Sequence, residues 1–205
     1  FTFVAKIGQF IPQTIIPILY LRNGPALGSP AVNGILYYII MICLMTYLCL
    51  MTYGIVQKGI TTTYVDLSGD EGPSNLASAI KPGLTALVMV ESPTNPMQRV
   101  CDLRGLSAVC HKHGALLEVD NTPMSPLLQK PLALGADIVV HSATKFICGH
   151  SDTMAGVCCV DDEALFKRLY FVQNAEGTGL APFDCFLALR GLKTMALRVD
   201  RAQQN

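Results

Sequence analysis

The chain has 205 residues, enough for one domain with a well-buried core or for one domain with an appendage. Its 15 basic and 15 acidic residues cancel, which excludes the charge imbalance typical of nucleic-acid-binding proteins. Its eight cysteines include no Cys-x-x-Cys pair and its four histidines form no ligand pattern, so we expect no metal site, no disulfide framework and a reducing compartment. Thiols in the apolar run 156–160 are expected to be buried.

Residues 34–56 form an apolar run that differs from the rest of the chain. No charged residue occurs between Arg22 and Lys58. A run of about 20 apolar residues is long enough to cross a bilayer, and the tyrosines near its ends are typical of a membrane interface. Three interpretations are open at this point: a membrane span, buried strands or a buried helix, and non-native or divergent sequence.

The sequence after residue 58 alternates between strand and helix patterns. Strands are predicted over residues 60–66, 84–90, 115–119, 136–141 and 153–160, which are rich in β-branched or continuous apolar residues. Helices are predicted over residues 74–80, 102–113, 126–134 and 162–174, and from 181 onward with a weak point at Gly191. This alternation predicts an α/β fold in which helices cover both faces of a parallel-rich sheet.

Polar side chains cluster at the ends of three predicted strands, at Asn95, at Asp120, and at Ser142, Thr144 and Lys145. Ligands of parallel sheets bind beyond the carboxyl ends of the strands. A lysine amine can form a Schiff base with an aldehyde, a carboxylate can keep a ring nitrogen protonated, and hydroxyls can bind a phosphate. Each residue type alone is common at surfaces and turns, but together they predict a site for pyridoxal phosphate (PLP).

The segments that carry these residues resemble the transsulfuration, or Cys/Met metabolism, family of PLP enzymes. The similarity runs from about residue 59 to the last residue and is densest over 91–96, 114–121, 134–145, 149–152 and 154–156. Residues 171–185 and 189–197 look most like plant-type cystathionine β-lyases. The resemblance implies an aspartate-aminotransferase-like large domain, usually assembled as a homotetramer, in a plastid or in the cytoplasm.

The resemblance also implies a role for each site residue. Lys145 would form the Schiff base and then take the substrate's α-proton, and Asp120 would pair with the ring nitrogen. Ser142 and Thr144 would bind the phosphate, and Asn95 would approach the ring hydroxyl and the substrate carboxylate. The implied reaction is the β-elimination of cystathionine to homocysteine, pyruvate and ammonia, in methionine biosynthesis. Cystathionine γ-lyase or γ-synthase activity, and a catalytically incompetent fragment, remain alternatives.

The family's remaining site segments set our expectation for the domain organisation. A Tyr-x-Arg segment, a phosphate loop and a ring-stacking tyrosine would lie upstream of residue 59, where the apolar run stands instead. We therefore expect residues 1–58 to be non-native or divergent sequence, and we expect no membrane partner despite residues 34–56. We expect residues 59–205 to be a partial PLP-binding large domain, with the small carboxyl-terminal domain absent. Whether this partial chain is active alone stays open.

Overall fold

The structure is a computed structural model that describes residues 60–205, of which residues 65–205 belong to one compact unit. In chain order its elements are helix α1 (Gly72–Ala79), strand β1 (Leu87–Glu91), helix α2 (Leu103–Lys112), strand β2 (Leu116–Asp120), helix α3 (Ser125–Leu128), a 3-10 helix (Pro131–Leu134), strands β3 (Ile138–Ser142) and β4 (Gly156–Cys159), and helices α4 (Glu163–Ala175), α5 (Pro182–Leu192) and α6 (Met195–Gln204).

The four strands form one sheet in the order β1-β2-β3-β4. Strands β1, β2 and β3 are parallel, whereas β4 runs antiparallel to β3. Glu91 at the end of β1 pairs with Asp120 at the end of β2, and Ser142 at the end of β3 pairs with Gly156 at the start of β4. The carboxyl ends of β1, β2 and β3 therefore share one edge with the beginning of β4.

Helices cover both faces of the sheet, as the apolar strands require. On one face, α1, α2 and the 3-10 helix pack over a core that includes Leu76, Leu103, Leu106, Leu117, Val119 and Val139. On the other face, Leu165 of α4 packs with Ile138 and Val140 of β3. This second face is less covered near the strand ends, where Met89 remains 47% exposed. The site described below opens onto that face.

Helix α2 confirms the prediction of a cap at Asp102. The Asp102 carboxylate accepts a hydrogen bond from the N–H of Gly105 at 3.1 Å, and Leu106 and Cys110 are completely buried beneath the helix. Asp162 caps α4 in the same way, because its carboxylate accepts a hydrogen bond from the N–H of Leu165 at 2.6 Å. Such caps satisfy N–H groups that the first helical turn leaves without partners.

Three local predictions differ from the structure. Residues 60–66 form no strand, and the neighbouring chain makes only an isolated bridge between Gly69 and Cys101. The helix predicted over 126–134 is divided into α3 and the 3-10 helix, because Gln129 is extended. Cys158 is exposed, because β4 is an outer strand that pairs only with β3 in the described part of the chain. By contrast, the weak point predicted near Gly191 is confirmed, because α5 ends at Leu192 and α6 begins at Met195.

Among residues 60–205, no helix is long and apolar enough to cross a membrane. Within the same range, no group of three metal-ligating side chains could hold an ion. The apolar run 34–56 and the proposed domain boundary after residue 58 both lie outside the described residues.

Candidate cofactor site at the strand ends

Asp120 ends β2 with a half-buried carboxylate. Its Oδ1 accepts a hydrogen bond from the backbone N–H of Thr122 at 2.9 Å. An aspartate that accepts from the N–H two residues later forms a local turn. The turn fixes the carboxylate at the edge of the sheet, on the face that α4 leaves open.

Thr122 connects the end of β2 to the end of β3. Its hydroxyl accepts a hydrogen bond from the backbone N–H of Ser142 at 2.7 Å, while its own N–H is held by Asp120. Asp120 and Ser142 are thus joined through one side chain, although they are 22 residues apart in sequence. The structure brings these two predicted residues together at neighbouring strand ends.

The turn after β3 carries Thr144 and Lys145. The Thr144 hydroxyl accepts a hydrogen bond from the N–H of Ala155 at 3.1 Å and lies 3.4 Å from the Ala155 carbonyl oxygen. The N–H of Lys145 donates to the carbonyl of Ser142 at 3.2 Å. The Lys145 side chain is exposed beside the strand ends. The start of this turn is therefore held by β3 on one side and by the residue before β4 on the other.

Asn95 belongs to the turn after β1 and is exposed. Its backbone N–H donates to Oε2 of Glu91 at 2.9 Å. Because Glu91 pairs directly with Asp120, the turn that carries Asn95 is anchored next to the Asp120 carboxylate. The structure thus places Asn95 at the same edge, on the side away from Lys145.

A second network joins the ends of β1 and β2 beneath the site. The Gln129 amide donates both to the carbonyl of Ser92 and to Oδ1 of Asn121, each at 2.9 Å. Asn121 is completely buried and donates in return to the carbonyls of Ser125 and Gln129. Buried polar groups that are fully satisfied in this way give a unique and rigid arrangement.

Two further carboxyl groups share the face of Asp120. Partial burial raises the pKa of Glu91; the N–H of Asn95 opposes this rise and the charge of Asp120 adds to it. Burial, and then the charge of Asp120, raise the pKa of Glu118 to about 7. Both effects follow from the cost of placing charge in a low-dielectric environment next to a like charge. The neighbours of Asp120 are thereby shifted toward their neutral forms.

Asp120, Ser142, Thr144 and Lys145 fit PLP by the chemistry of their donors and acceptors. Asp120 offers a carboxylate for a ring N–H, and the Thr144 hydroxyl can redirect its proton because its contact with the Ala155 carbonyl is long at 3.4 Å. A Cβ built on Gly156 would meet nothing nearer than the His141 carbonyl oxygen at 4.0 Å. The space next to Ser142 is therefore open to a bound group.

Two pockets among the described residues are not lined by the predicted site residues. One, of about 170 Å³, lies between α3 and α6 and includes Phe146 and Val199 in its lining. The other, of about 310 Å³, includes Leu116 and Leu165. The first pocket borders the candidate site, because Pro123 follows Thr122 and Phe146 follows Lys145 in sequence.

Sequence reasoning missed two residues that organise the site. Thr122 could have been found, because an aspartate two residues earlier is the signature of an Asx turn. Glu118 is 1% exposed and its Oε2 has no hydrogen-bond partner in the structure. Its position two residues before Asp120 places both carboxyl groups on one face of the strand, and that spacing is visible in the sequence.

Comparison with known proteins gives the same family as the sequence motifs. The model of the family described as "Cys/Met metabolism PLP-dependent enzyme" matches residues 45–205. The chain is 57% identical to the chloroplastic cystathionine β-lyase of Arabidopsis thaliana over 152 residues, which is 74% of this chain and 31% of that protein. It is 47% identical to the cystathionine γ-lyase of Homo sapiens over 150 residues, which is 73% of this chain and 36% of that protein.

A solved structure agrees with the fold. The apo methionine γ-lyase CalE6 of Micromonospora echinospora superposes with a TM-score of 0.67 at 38% identity, over 72% of this chain and 40% of that one. The predicted α/β fold of PLP-dependent enzymes is therefore confirmed, and the chain spans about a third of the length of the curated relatives it matches. The family match over residues 45–205, together with the strand-end residues, shows that this chain belongs to the Cys/Met metabolism family of PLP-dependent enzymes.

Proposed function

We propose that this chain functions in a PLP-dependent carbon–sulfur lyase. The proposed reaction is the β-elimination of cystathionine to homocysteine, pyruvate and ammonia. The observation that carries the proposal is the hydrogen-bonded path from Asp120 through Thr122 to Ser142, which places a carboxylate beside the turn that bears Lys145. The similarity to the chloroplastic β-lyase of Arabidopsis thaliana supports the choice of substrate.

Lys145 would supply the amine that binds the cofactor's aldehyde, and once the substrate's amine has displaced it, the freed Lys145 amine would take the proton from the substrate's α-carbon. When bound, the cofactor supplies an electron-accepting ring that stabilises negative charge at that carbon. Asp120 keeps the ring nitrogen protonated by accepting its hydrogen bond. Its fixed orientation matters because a preorganised acceptor needs no rearrangement during the reaction.

Ser142 and Thr144 hold the phosphate. Thr144 can do so without leaving its place, because the hydrogen bond from the N–H of Ala155 fixes its oxygen while its proton turns outward. Asn95 binds the substrate carboxylate and approaches the ring hydroxyl from the opposite end of the edge. Holding cofactor and substrate at two fixed points orients the reacting bond.

A γ-elimination or a γ-synthase reaction is the second candidate. It is supported by the 52% identity to a cystathionine γ-lyase of Dictyostelium discoideum and the 46% identity to a cystathionine γ-synthase of Bacillus subtilis. Incubation with cystathionine separates the two, because β-elimination releases pyruvate and γ-elimination releases 2-oxobutyrate. Release of 2-oxobutyrate without pyruvate would contradict the β-lyase proposal.

The role of Lys145 is tested by adding PLP to the full 205-residue chain and to Lys145→Ala. The wild-type chain should develop a visible absorbance band, and borohydride should fix the cofactor to Lys145 in a mass-spectrometric peptide map. Lys145→Ala should show neither, whereas Lys130→Ala, which alters an exposed lysine before the 3-10 helix, should behave as the wild type. If the wild-type chain takes up no PLP, it is a catalytically incompetent fragment.

We further propose the domain organisation and cellular context. Residues 1–58 are an atypical segment, and residues 59–205 are part of a PLP-binding large domain. The active form is a homotetramer, which light scattering of the purified protein would test. A plastid location is favoured over the cytoplasm by the chloroplastic relatives of Arabidopsis thaliana and Mimosa pudica, and organelle fractionation would decide between them.

A further inference from the structure

Arg198 of α6 contacts the chain immediately after Lys145. Its Nη1 donates to the carbonyl of Phe146 at 2.8 Å, and its Nη2 lies 3.3 Å from the carbonyl of Ile147. These contacts span 52 and 51 residues of sequence. A planar guanidinium suits this task, because it offers five N–H donors in a fixed fork.

The guanidinium is itself held from the side of α5 and α6. Nη2 donates to the carbonyl of Gly191 at 2.7 Å, and Nε donates to the hydroxyl of Thr194 at 3.1 Å. A side chain with partners on both sides forms a fixed connection between the turn and the break that separates the two helices. Charged donors make stronger hydrogen bonds than neutral ones.

The packing around Arg198 leaves no spare room. A Cβ on Gly149 would overlap the Arg198 guanidinium, and a Cβ on Gly191 would overlap the backbone of Cys148. The N–H of Gly149 donates to the carbonyl of Lys145 at 2.8 Å. The turn of residues 145–149 therefore closes on itself and packs directly against Arg198.

We propose that Arg198 is a positioning residue, whose guanidinium fixes the carbonyls of residues 146 and 147 and so holds Lys145 in place to receive the cofactor's aldehyde. The inference rests on the proposed function of Lys145. It adds that a residue remote in sequence sets how readily the Lys145 amine reacts. Effective reaction depends on holding the reacting group in the right geometry.

The first experiment measures how fast the backbone amides of the turn exchange hydrogen with solvent when no cofactor is present. Hydrogen exchange of a peptide covering residues 143–150 is compared in the full wild-type chain, Arg198→Met and Arg201→Met. Arg201 lies on the same helix, is exposed and serves as the control for charge. In Arg198→Met, the exchange rate of this peptide should rise about tenfold, because the loss of charged hydrogen bonds makes local opening more favourable by about that factor. The exchange rate of a β2 peptide should not change in Arg198→Met, and neither rate should change in Arg201→Met.

The second experiment measures the reaction of Lys145 with PLP. The rate at which borohydride-fixed cofactor accumulates on Lys145 should fall about tenfold in Arg198→Met and in Arg198→Ala. Millimolar guanidinium should restore much of the rate in Arg198→Ala, but not in Met195→Ala, which removes a buried anchor of α6. Such rescue distinguishes positioning from general loss of helix packing.

The outcomes separate the two proposals. If the wild-type chain never labels Lys145, the proposed function fails, whatever the exchange data show. If the wild-type chain labels Lys145 while Arg198→Met labels equally fast and exchanges equally slowly, Arg198 does not position the turn. Equal losses in Met195→Ala and Arg198→Ala, with no rescue by guanidinium, would also overturn the inference.

Discussion

Replacing Glu118 by glutamine should make the stability of the fold less dependent on pH. Glu118 lies within β2, is 1% exposed, and has an Oε2 with no hydrogen-bond partner in the structure. Burial and the charge of Asp120 raise its pKa from the usual 4.5 to about 7. The folded protein therefore binds the Glu118 proton more tightly than the unfolded chain does.

The expected magnitude follows from the two pKa values. The interval from 4.5 to about 7, at about 1.4 kcal/mol for each pH unit, corresponds to about 3 kcal/mol. The stabilising contribution of the protonated form is fully present below pH 4.5 and is lost as the pH rises through about 7. Glutamine is a neutral isostere of protonated glutamate, so the variant should match the wild type near pH 4.5 and exceed it by up to about 3 kcal/mol at pH 8.

The assay is urea unfolding followed by circular dichroism at several pH values between 4.5 and 8, for wild type, Glu118→Gln and Glu176→Gln. Glu176 is exposed at the end of α4, so its variant controls for the loss of one surface charge. The difference between Glu118→Gln and wild type should grow with pH, and that for Glu176→Gln should stay within about 0.5 kcal/mol. A difference for Glu118→Gln that is constant across this range would refute the reasoning.

Two further predictions concern the connections around the site. Thr122→Val should destabilise the fold by about 1–3 kcal/mol, because the N–H of Ser142 loses its acceptor, and it should also weaken PLP uptake. Thr122→Ser keeps the hydroxyl and should keep both the stability and the PLP uptake of the wild type. A Thr122→Val protein with unchanged stability and uptake would show that the bond is dispensable. Gly149 and Gly177 both have positive φ, 72° and 64°. Gly177→Ala places its methyl group in open space and should lower the free energy of unfolding, measured by thermal unfolding, by about 1 kcal/mol. Gly149→Ala should lower it by about 3 kcal/mol, because the methyl group must also displace Arg198. Equal costs would contradict the packing argument.

Local signals account for the parts of the fold that the sequence predicted. Asp102 and Asp162 each act through an N–H only three residues away, so their caps are visible in a short window. The parallel order of β1, β2 and β3 follows from the helical segments between them. The antiparallel direction of β4 could not be predicted in this way, because the connection from Ser142 to Gly156 contains no long helix.

Distant partners explain the remaining differences. The helix predicted over residues 126–134 is interrupted at Gln129, whose amide binds the carbonyl of Ser92, 37 residues earlier in the chain. The strand predicted over residues 60–66 has high β propensity, but propensity alone does not supply a neighbouring strand. In the site, the strand-end residues were predictable because topology gathers them, whereas the contact of Arg198 with Phe146 depends on how α6 packs.

The hydrogen bond from Ser142 to Thr122 also protects the site against changes of register. It continues the pairing of β2 and β3 by one side-chain contact past the last backbone pair, Asp120 with Val140. A slip of one residue would turn Asp120 to the face covered by α1 and α2, because side chains alternate along a strand. The bond from Ser142 to Thr122 therefore favours the register that keeps Asp120 and Ser142 together, in addition to the backbone pairs of β2 and β3.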